Sequence, residues 1–201
     1  DRAQAWTVYP VQVTTCPAVI YTYDTRTGEG KAAEIHTSGS GGEYASTGEM
    51  MYPKSAFAGS IFIGSYSWSD KSEHKSLGHS FNTRPLGLSF WYKYKPYKTD
   101  AFKVLVEVKS GETVIATGEY VPEAYSSEDL EYQQHTISLE YTNSLLKATS
   151  ISVQFLSTNK TSFTENDLQK NGTLTLTDFS DSWNAHFGSF LKIDDVELIY
   201  E

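Results

Sequence analysis

The sequence predicts an all-β protein built from two antiparallel sheets packed as a sandwich. Aromatic residues are abundant, with 14 Tyr, 10 Phe and 4 Trp, and they stand in short runs between turn residues. Such runs are typical of strands rather than helices. No stretch keeps a helical period, and about ten short alternating segments follow one another at the spacing of a β-sandwich. The length of 201 residues and the lack of a linker favour one domain over residues 1–201.

The clearest strand covers residues 88–95, where apolar side chains alternate with Trp91, Lys93 and Lys95. This alternation is typical of a strand with one buried face. Pro96 ends the strand because it has no N–H to donate, and residues 103–109 form the next strand. The outward row of Trp91, Lys93 and Lys95 is the first candidate for a working surface, although single exposed aromatic residues are also ordinary packing residues.

The other elements follow from the same pattern. Before the central pair it predicts strands over residues 5–13, 18–23, 31–37 and 60–68, a turn over 24–30, and loops over 38–43 and 70–78. After the central pair it predicts a turn at 110–111, strands over 113–120, 135–141, 151–155, 174–176 and 189–201, one helical turn over 164–169 and a loop over 180–188. In the last strand the apolar residues change face at Asp194 and Asp195, which predicts a β-bulge there.

Composition argues against several classes of function. The net charge of -9 disfavours nucleic-acid partners, because phosphate binding needs a basic face. The single cysteine, Cys16, excludes an intrachain disulfide framework and a multi-cysteine zinc site. No apolar run is long enough to cross a membrane.

Because the chain opens at Asp1 without Met, we expect it to be the C-terminal part of a longer exported protein, and we expect a monomer.

Two motifs that would indicate an enzyme are incomplete. Gly28, Gly30 and Ala33 match a dinucleotide-binding pattern, but a strand follows them where that site needs a helix. Retaining glycosidases need two carboxylates about 5–5.5 Å apart. Residues 193–197 resemble half of the paired-acid pattern of sandwich glycosidases, but Lys192 occupies the nucleophile position. The sequence therefore predicts no catalytic activity; a hydrolase would require acids among Glu107, Glu119, Glu140 and Glu197 to face one another.

Asp194 and Asp195 are the candidate metal ligands. Two acids at a bulge present hard oxygen atoms, and backbone carbonyl groups of an early loop could complete a calcium site. Asp178 and Asp181 are further acidic candidates. The alternative is that Asp194 or Asp195 accepts hydrogen bonds from a neighbouring loop.

Four segments carry a resemblance to a known family. They are KAAEIHT (31–37), GSIFIGSY (59–66), RPLGLSFWYKYKPY (84–97) and GSFLKIDDVELIYE (188–201). In this order they resemble the putative carbohydrate metabolism domain family of gut Bacteroidetes, over Tyr9 to Glu201. The resemblance implies a jelly-roll sandwich on a secreted or surface-anchored bacterial protein that handles glycans, with no catalytic residues to carry over. In similar carbohydrate-binding modules an aspartate of the closing motif binds structural calcium, which implies Asp194 or Asp195 in this sequence.

The resulting prediction is a non-catalytic, extracellular or outer-membrane-anchored domain that binds a glycan or glycoprotein. Sugar sites combine aromatic faces with a few fixed polar groups. The candidate glycan-binding residues are Tyr66, Trp68, Trp91, Lys93 and Trp183. Two alternatives remain open, a structural or adhesin-type interaction domain and a glycoside hydrolase.

Overall fold

The computed structural model describes residues 6–8, 18–40, 55–69, 72–142, 145–175 and 182–201. Within these ranges some residues are described by their backbone alone, among them Trp68 and Trp183; they are 6–8, 39, 40, 55, 68, 72, 73, 165, 169–175 and 182–186. Three residues singled out in the sequence, Cys16, Asp178 and Asp181, lie outside the described residues. No helix in the described ranges has the length and apolarity needed to span a membrane.

The described chain is almost entirely β-structure. The strands, numbered in chain order, are β1 (Trp6–Val8), β2 (Val19–Thr22), β3 (Ala32–Ser40), β4 (Ser55–Phe57), β5 (Ser60–Ser69), β6 (Ser72–Leu77), β7 (His79–Ser80), β8 (Gly87–Lys95), β9 (Lys103–Ser110), β10 (Thr113–Tyr120), β11 (Gln133–Ser138), β12 (Glu140–Tyr141), β13 (Ser150–Leu156), β14 (Gln169–Thr175) and β15 (Ser182–Ile199). One 3-10 turn, Glu165–Asp167, interrupts them; Thr164 and Asp167 form its capping box, as the sequence predicts for this segment.

The strands form two antiparallel sheets. The first sheet has the order β1-β5-β13-β9-β10-β12, with β6 paired to β5 and β7 to β13. The second has the order β11-β8-β15-β3-β2, with β14 paired to β15 and β4 to β3. Neighbours come from distant parts of the chain, as in a sandwich of the jelly-roll type. The predicted fold class is therefore confirmed, and the single-domain boundaries stay a prediction.

The core lies between the inner faces of the two sheets. Phe90 on β8 meets Phe155 on β13 edge to face, with ring centroids 5.3 Å apart. Val104, Val106 and Val108 on β9 are also fully buried in this core, while the residues between them are only partly buried. The alternation read from the sequence thus assigns these side chains to the correct faces.

Three predicted loops contain strand residues. The loop predicted over residues 38–43 begins inside β3, which runs to Ser40. Residues 70–78 contain β6, which pairs with β5 from Gly64–Leu77 to Ser69–Ser72. Residues 180–188 include the first part of β15, which pairs there with β14. Strand β6 reads Ser-Glu-His-Lys-Ser-Leu and is largely exposed. Its backbone is satisfied by the hairpin partner without a buried face, so hydrophobic alternation cannot reveal it.

The predicted bulge in β15 is confirmed. The pairing of β15 with β8 shifts register between Asp194 and Glu197, and Asp195 has φ of 44°, a left-handed conformation that aspartate tolerates better than most residues. Ile193 faces the core before the bulge, and Val196 and Leu198 pack against it afterwards. The extra residue therefore keeps the apolar side chains inside and turns Glu197 to the outer face of the second sheet.

Candidate functional site

The outer face of the second sheet gathers the polar side chains. Along its ladder Gln134 of β11 lies opposite Trp91 of β8, and Trp91 lies opposite Asp194 of β15. One row further on, Lys93 lies opposite Lys192. Cross-strand partners stand close enough for their side chains to interact, so this face concentrates aromatic, amide and charged groups.

A segment between β2 and β3, residues 23–30, crosses this face; we call it the strap. Asp24 of the strap reaches over β3 and β15. Its Oδ2 accepts hydrogen bonds from Lys192 Nζ at 2.6 Å and Lys93 Nζ at 3.2 Å. The hydroxyl of Tyr132 donates to the backbone oxygen of Asp24 at 2.6 Å. The strap is thus tied to strands that lie on the far side of β3.

Arg26 anchors the strap at the bulge. Its backbone N–H donates to Asp194 Oδ2 at 2.9 Å, and its Nε donates to Asp195 Oδ2 at 2.7 Å. The guanidinium carbon lies 4.8 Å from the ring centroid of Trp91. The strap therefore holds both aspartates and covers part of Trp91, which is the loop contact foreseen as the alternative to metal binding.

A cavity of about 830 Å³ opens beside Trp91. Strand β3 pairs with β15 only as far as Ile193 and Ala33, whereas β15 continues along β8 to Ile199. The flank of β15 beyond the bulge is therefore left without β3 as a neighbour, and the cavity lies there. On the side of the second sheet's outer face it is lined by Trp91, Ser89, Gln134, Glu197, Arg26 and Asp195, and its apolar lining includes Leu88, Val196 and Leu198 together with Ile63 and Val153 of the first sheet.

Within the cavity, a hydrogen bond fixes the position of one polar group, the side-chain amide of Gln134. Ser89 is buried, and its Oγ accepts a hydrogen bond from Gln134 Nε2 at 3.0 Å. This bond orients the Gln134 amide beside Trp91. The cavity thus combines an indole, an oriented amide, a guanidinium and carboxylates, which is the mixture that binds sugar hydroxyls and the apolar faces of sugar rings.

A smaller groove of about 250 Å³ lies at the other contact of the strap. It is lined by Glu34, Lys93, Tyr94, Lys95, Glu128, Phe190 and Lys192. Its lysines are paired with acids: Lys93 and Lys192 bind Asp24, and Lys95 Nζ lies 3.2 Å from Glu128 Oε2. The positive charges of this groove are therefore largely neutralised, and it is less suited to bind a charged ligand than the cavity.

Electrostatics tie the strap to the sheet. Burial alone would raise the pKa of Asp24, but the hydrogen bonds and charges of Lys192 and Lys93 outweigh it and hold this pKa below 3.8. Burial likewise acts to raise the pKa of Glu34, and the contacts with His36 and Lys192 outweigh it and hold this pKa below 4.5. Burial and the charges of Asp24, Asp194 and Glu34 raise the pKa of the Tyr132 hydroxyl. Asp24 and Glu34 are therefore ionised at neutral pH and paired with the lysines of the sheet.

The structure brings only some of the predicted site residues together. Trp91 and Lys93 share the outer face of the second sheet with Asp194 and Asp195. Tyr66 lies on β5 of the first sheet, opposite Lys75, and does not join them. The backbone of Trp68 lies opposite Glu73 and that of Trp183 opposite Leu174, while their side chains lie outside the described part, so their role in binding stays a prediction.

Sequence reasoning missed Arg26, Ser89 and Gln134 as components of this site. The change of phase at the bulge could have placed Glu197 on the outer face, since one extra residue reverses the alternation. No local pattern points to Arg26 or Gln134, because each reaches Trp91 through a contact between distant parts of the chain.

Three of the four carboxylates named for a hydrolase share one face: Glu107 and Glu140 lie opposite Thr117 of β10 from its two sides, and Glu119 lies two residues further along β10. Glu107, Glu119 and Glu140 belong to strands β9, β10 and β12 of the first sheet, whereas Glu197 belongs to the second. Lys109 pairs with Glu107 at 3.3 Å, and Lys103 pairs with Glu119 at 3.1 Å. No group of three or more His, Cys, Asp or Glu residues suited to a metal is found in the described ranges; calcium binding by Asp194 or Asp195 stays a prediction.

Comparison with known proteins supports the resemblance seen in the sequence. Residues 11–103 match the family model described as putative carbohydrate metabolism domain. Three of the four segments that carry the resemblance lie in this range, and the closing segment 188–201 lies beyond it. None of the curated proteins matches the sequence. The matched region, which contains Arg26, Ser89 and Trp91, is therefore similar to a carbohydrate-related domain.

Proposed function

We propose that this protein is a non-catalytic glycan-binding domain, and that a glycan or glycoprotein binds in the cavity beside Trp91. The observation that carries the proposal is the composition of that cavity, in which Trp91 stands beside the oriented amide of Gln134 and the charged groups of Arg26 and Glu197. The match of residues 11–103 to a carbohydrate-related family supports the same ligand class.

Sugar rings expose C–H surfaces that pack on aromatic groups, and hydroxyls that need paired donors and acceptors. Trp91 supplies the aromatic surface, and Gln134 and Ser89 supply a fixed donor and acceptor set. The Arg26 guanidinium lies over part of the Trp91 ring, so the sugar contacts the part of the indole that borders the cavity. Shallow sites of this kind bind with about 4–8 kcal/mol, which corresponds to millimolar to micromolar affinity.

The proposal also covers where the domain works, its oligomeric state and its binding of calcium. The domain works outside the cell or anchored to the outer membrane of a gut bacterium, as a monomer. A structural calcium ion at Asp194 or Asp195 would compete with Arg26 for the same carboxylate oxygens. Calcium binding would therefore release the strap from the bulge and expose more of Trp91, so calcium is a variable in any binding measurement.

A glycan array tests the proposal with three proteins, each assayed with and without calcium: wild type, Trp91→Ala and Tyr66→Ala. Tyr66 is the matched aromatic control because it does not line the cavity. Binding that is lost in Trp91→Ala and kept in Tyr66→Ala, with both variants folded by circular dichroism, supports the proposal. The proposal is contradicted if Trp91→Ala still binds glycan, or if wild type binds none of the glycans on the array.

A second candidate, a structural or adhesin-type interaction domain, is favoured by one observation. The strap covers part of Trp91 and uses both bulge aspartates for its own attachment. In that case Trp91 packs the strap onto the sheet, and the array shows no binding. The array then separates the two candidates, because Trp91→Ala lowers stability in either case but removes glycan binding only from a glycan-binding domain.

A further inference from the structure

Glu197 differs from the other acids of the cavity. The bulge turns it outward, opposite Ser89 of β8, on the same face as Trp91 and Gln134. Its side chain is exposed and makes no hydrogen bond or ion pair with the residues that the structure describes. Asp194 and Asp195, by contrast, are both bound to Arg26. Glu197 is therefore the carboxylate of this cavity that is available to a ligand.

The charge balance around the cavity is negative. Among the described residues, two acids, Asp195 and Glu197, and one cation, Arg26, line the cavity, and that cation is held by Asp195 at 2.6 Å. The whole chain carries a net charge of -9, which adds a repulsive long-range field for anions. A ligand with carboxylate or sulfate groups would therefore meet repulsion at this site, where Arg26 is already paired.

We propose that the cavity selects a cationic glycan, an amino sugar whose ammonium group pairs with the Glu197 carboxylate while its ring packs beside Trp91. This inference rests on the proposed glycan-binding function and names its ligand class. Gln134 and Ser89 then form hydrogen bonds with the neighbouring hydroxyl groups of the sugar, and Asp195 remains paired with Arg26.

The test compares oligosaccharides that differ mainly in charge: glucosamine oligomers, the same oligomers N-acetylated, glucose oligomers and galacturonate oligomers. Titration calorimetry is run at about pH 6, where an amine with a pKa near the α-amino value of about 7.7 is protonated. The proteins are wild type, Glu197→Gln and Glu112→Gln. Glu112 lies exposed at the β9–β10 turn and does not line the cavity, so it controls for net charge.

Wild type is expected to bind glucosamine oligomers about two- to fivefold more tightly than the acetylated form, the range of a partly exposed ion pair. The preference should disappear in Glu197→Gln, persist in Glu112→Gln and weaken as salt is added. Equal or tighter binding of the neutral or acidic oligomers overturns the inference, as does a preference that survives Glu197→Gln.

The two proposals fail in distinguishable ways. If neutral oligomers bind through Trp91 without a charge preference, the glycan-binding function stands and the amino-sugar selectivity is wrong. If none of the four oligomers binds, and an array finds no other glycan, both are wrong.

Discussion

At the scale of single residues, Trp91 is the side chain on which the proposed site depends. Alternation alone places it on the outer face of β8, and the structure agrees. What alternation could not show is Arg26, because its contacts join the strap to Trp91 on β8 and to β15, which lies 168 residues further along the chain. Only the folded ladder brings residues 26, 91 and 194 together, so no local pattern in the sequence predicts them as neighbours.

We expect Arg26 and Trp91 to be energetically coupled. A guanidinium over a half-buried indole contributes at least about 0.5–1 kcal/mol, so the double variant Arg26→Ala with Trp91→Leu should lose less stability than the sum of the single losses. Urea unfolding of the four proteins measures this coupling. As a control, Arg26→Ala combined with Tyr141→Leu should be additive, because the Tyr141 ring is covered by Arg84 at 4.0 Å. Additivity in the Arg26–Trp91 cycle would show that the strap does not rest on Trp91.

At the scale of elements, the bulge in β15 decides which side chains reach the cavity. The sequence predicts it because Ile193 and Val196 cannot both face the core of a regular strand. The polar strand β6 was missed for the opposite reason, since it buries no apolar face and its pairing with β5 rests on backbone hydrogen bonds. Strands that lack a buried face carry no periodic signal.

Removing the bulge residue should be tolerated about as well as replacing it. Without Asp195, the residues Ile193, Asp194, Val196 and Glu197 alternate as in a regular strand, so Val196 stays inside and Glu197 stays opposite Ser89. Asp195→Gly keeps the bulge and suits a φ of 44°. Both variants lose the exposed pair with Arg26, so each should lose about 1 kcal/mol. Thermal unfolding measures both losses; a deletion variant that unfolds or aggregates would contradict the assigned register.

At the scale of the whole molecule, the fold class is the part that the sequence predicts best. Alternating aromatic and β-branched residues indicate strands, and strands with one buried face must pack two sheets together. The cavity is harder to foresee, because it arises where β3 ends and β15 continues. That difference in strand length is a property of the assembled sheet rather than of any segment.

Stability should fall in acid because Asp24 and Glu34 are ionised and paired in the folded protein. Their folded pKa values lie below 3.8 and 4.5, so the stabilisation is present above these pH values and is lost as pH falls through the folded pKa. Urea unfolding between about pH 6 and pH 3 should show this loss. In Glu34→Gln the free energy of unfolding should fall less steeply with decreasing pH than in wild type. In Glu112→Gln it should fall as in wild type. A Glu34→Gln curve parallel to wild type would contradict the assigned ion pairs.

The central claim, that glycan binds beside Trp91, is tested most directly by the indole N–H resonances of the four tryptophans in an NMR titration. The Trp91 resonance is assigned from its absence in Trp91→Phe. Titration with the tightest-binding array glycan should shift the Trp91 resonance, and Gln134→Ala should weaken the titration. If the Trp91 resonance stays in place while that of Trp68 or Trp183 moves, glycan binds elsewhere on the domain and the cavity beside Trp91 is not the binding site.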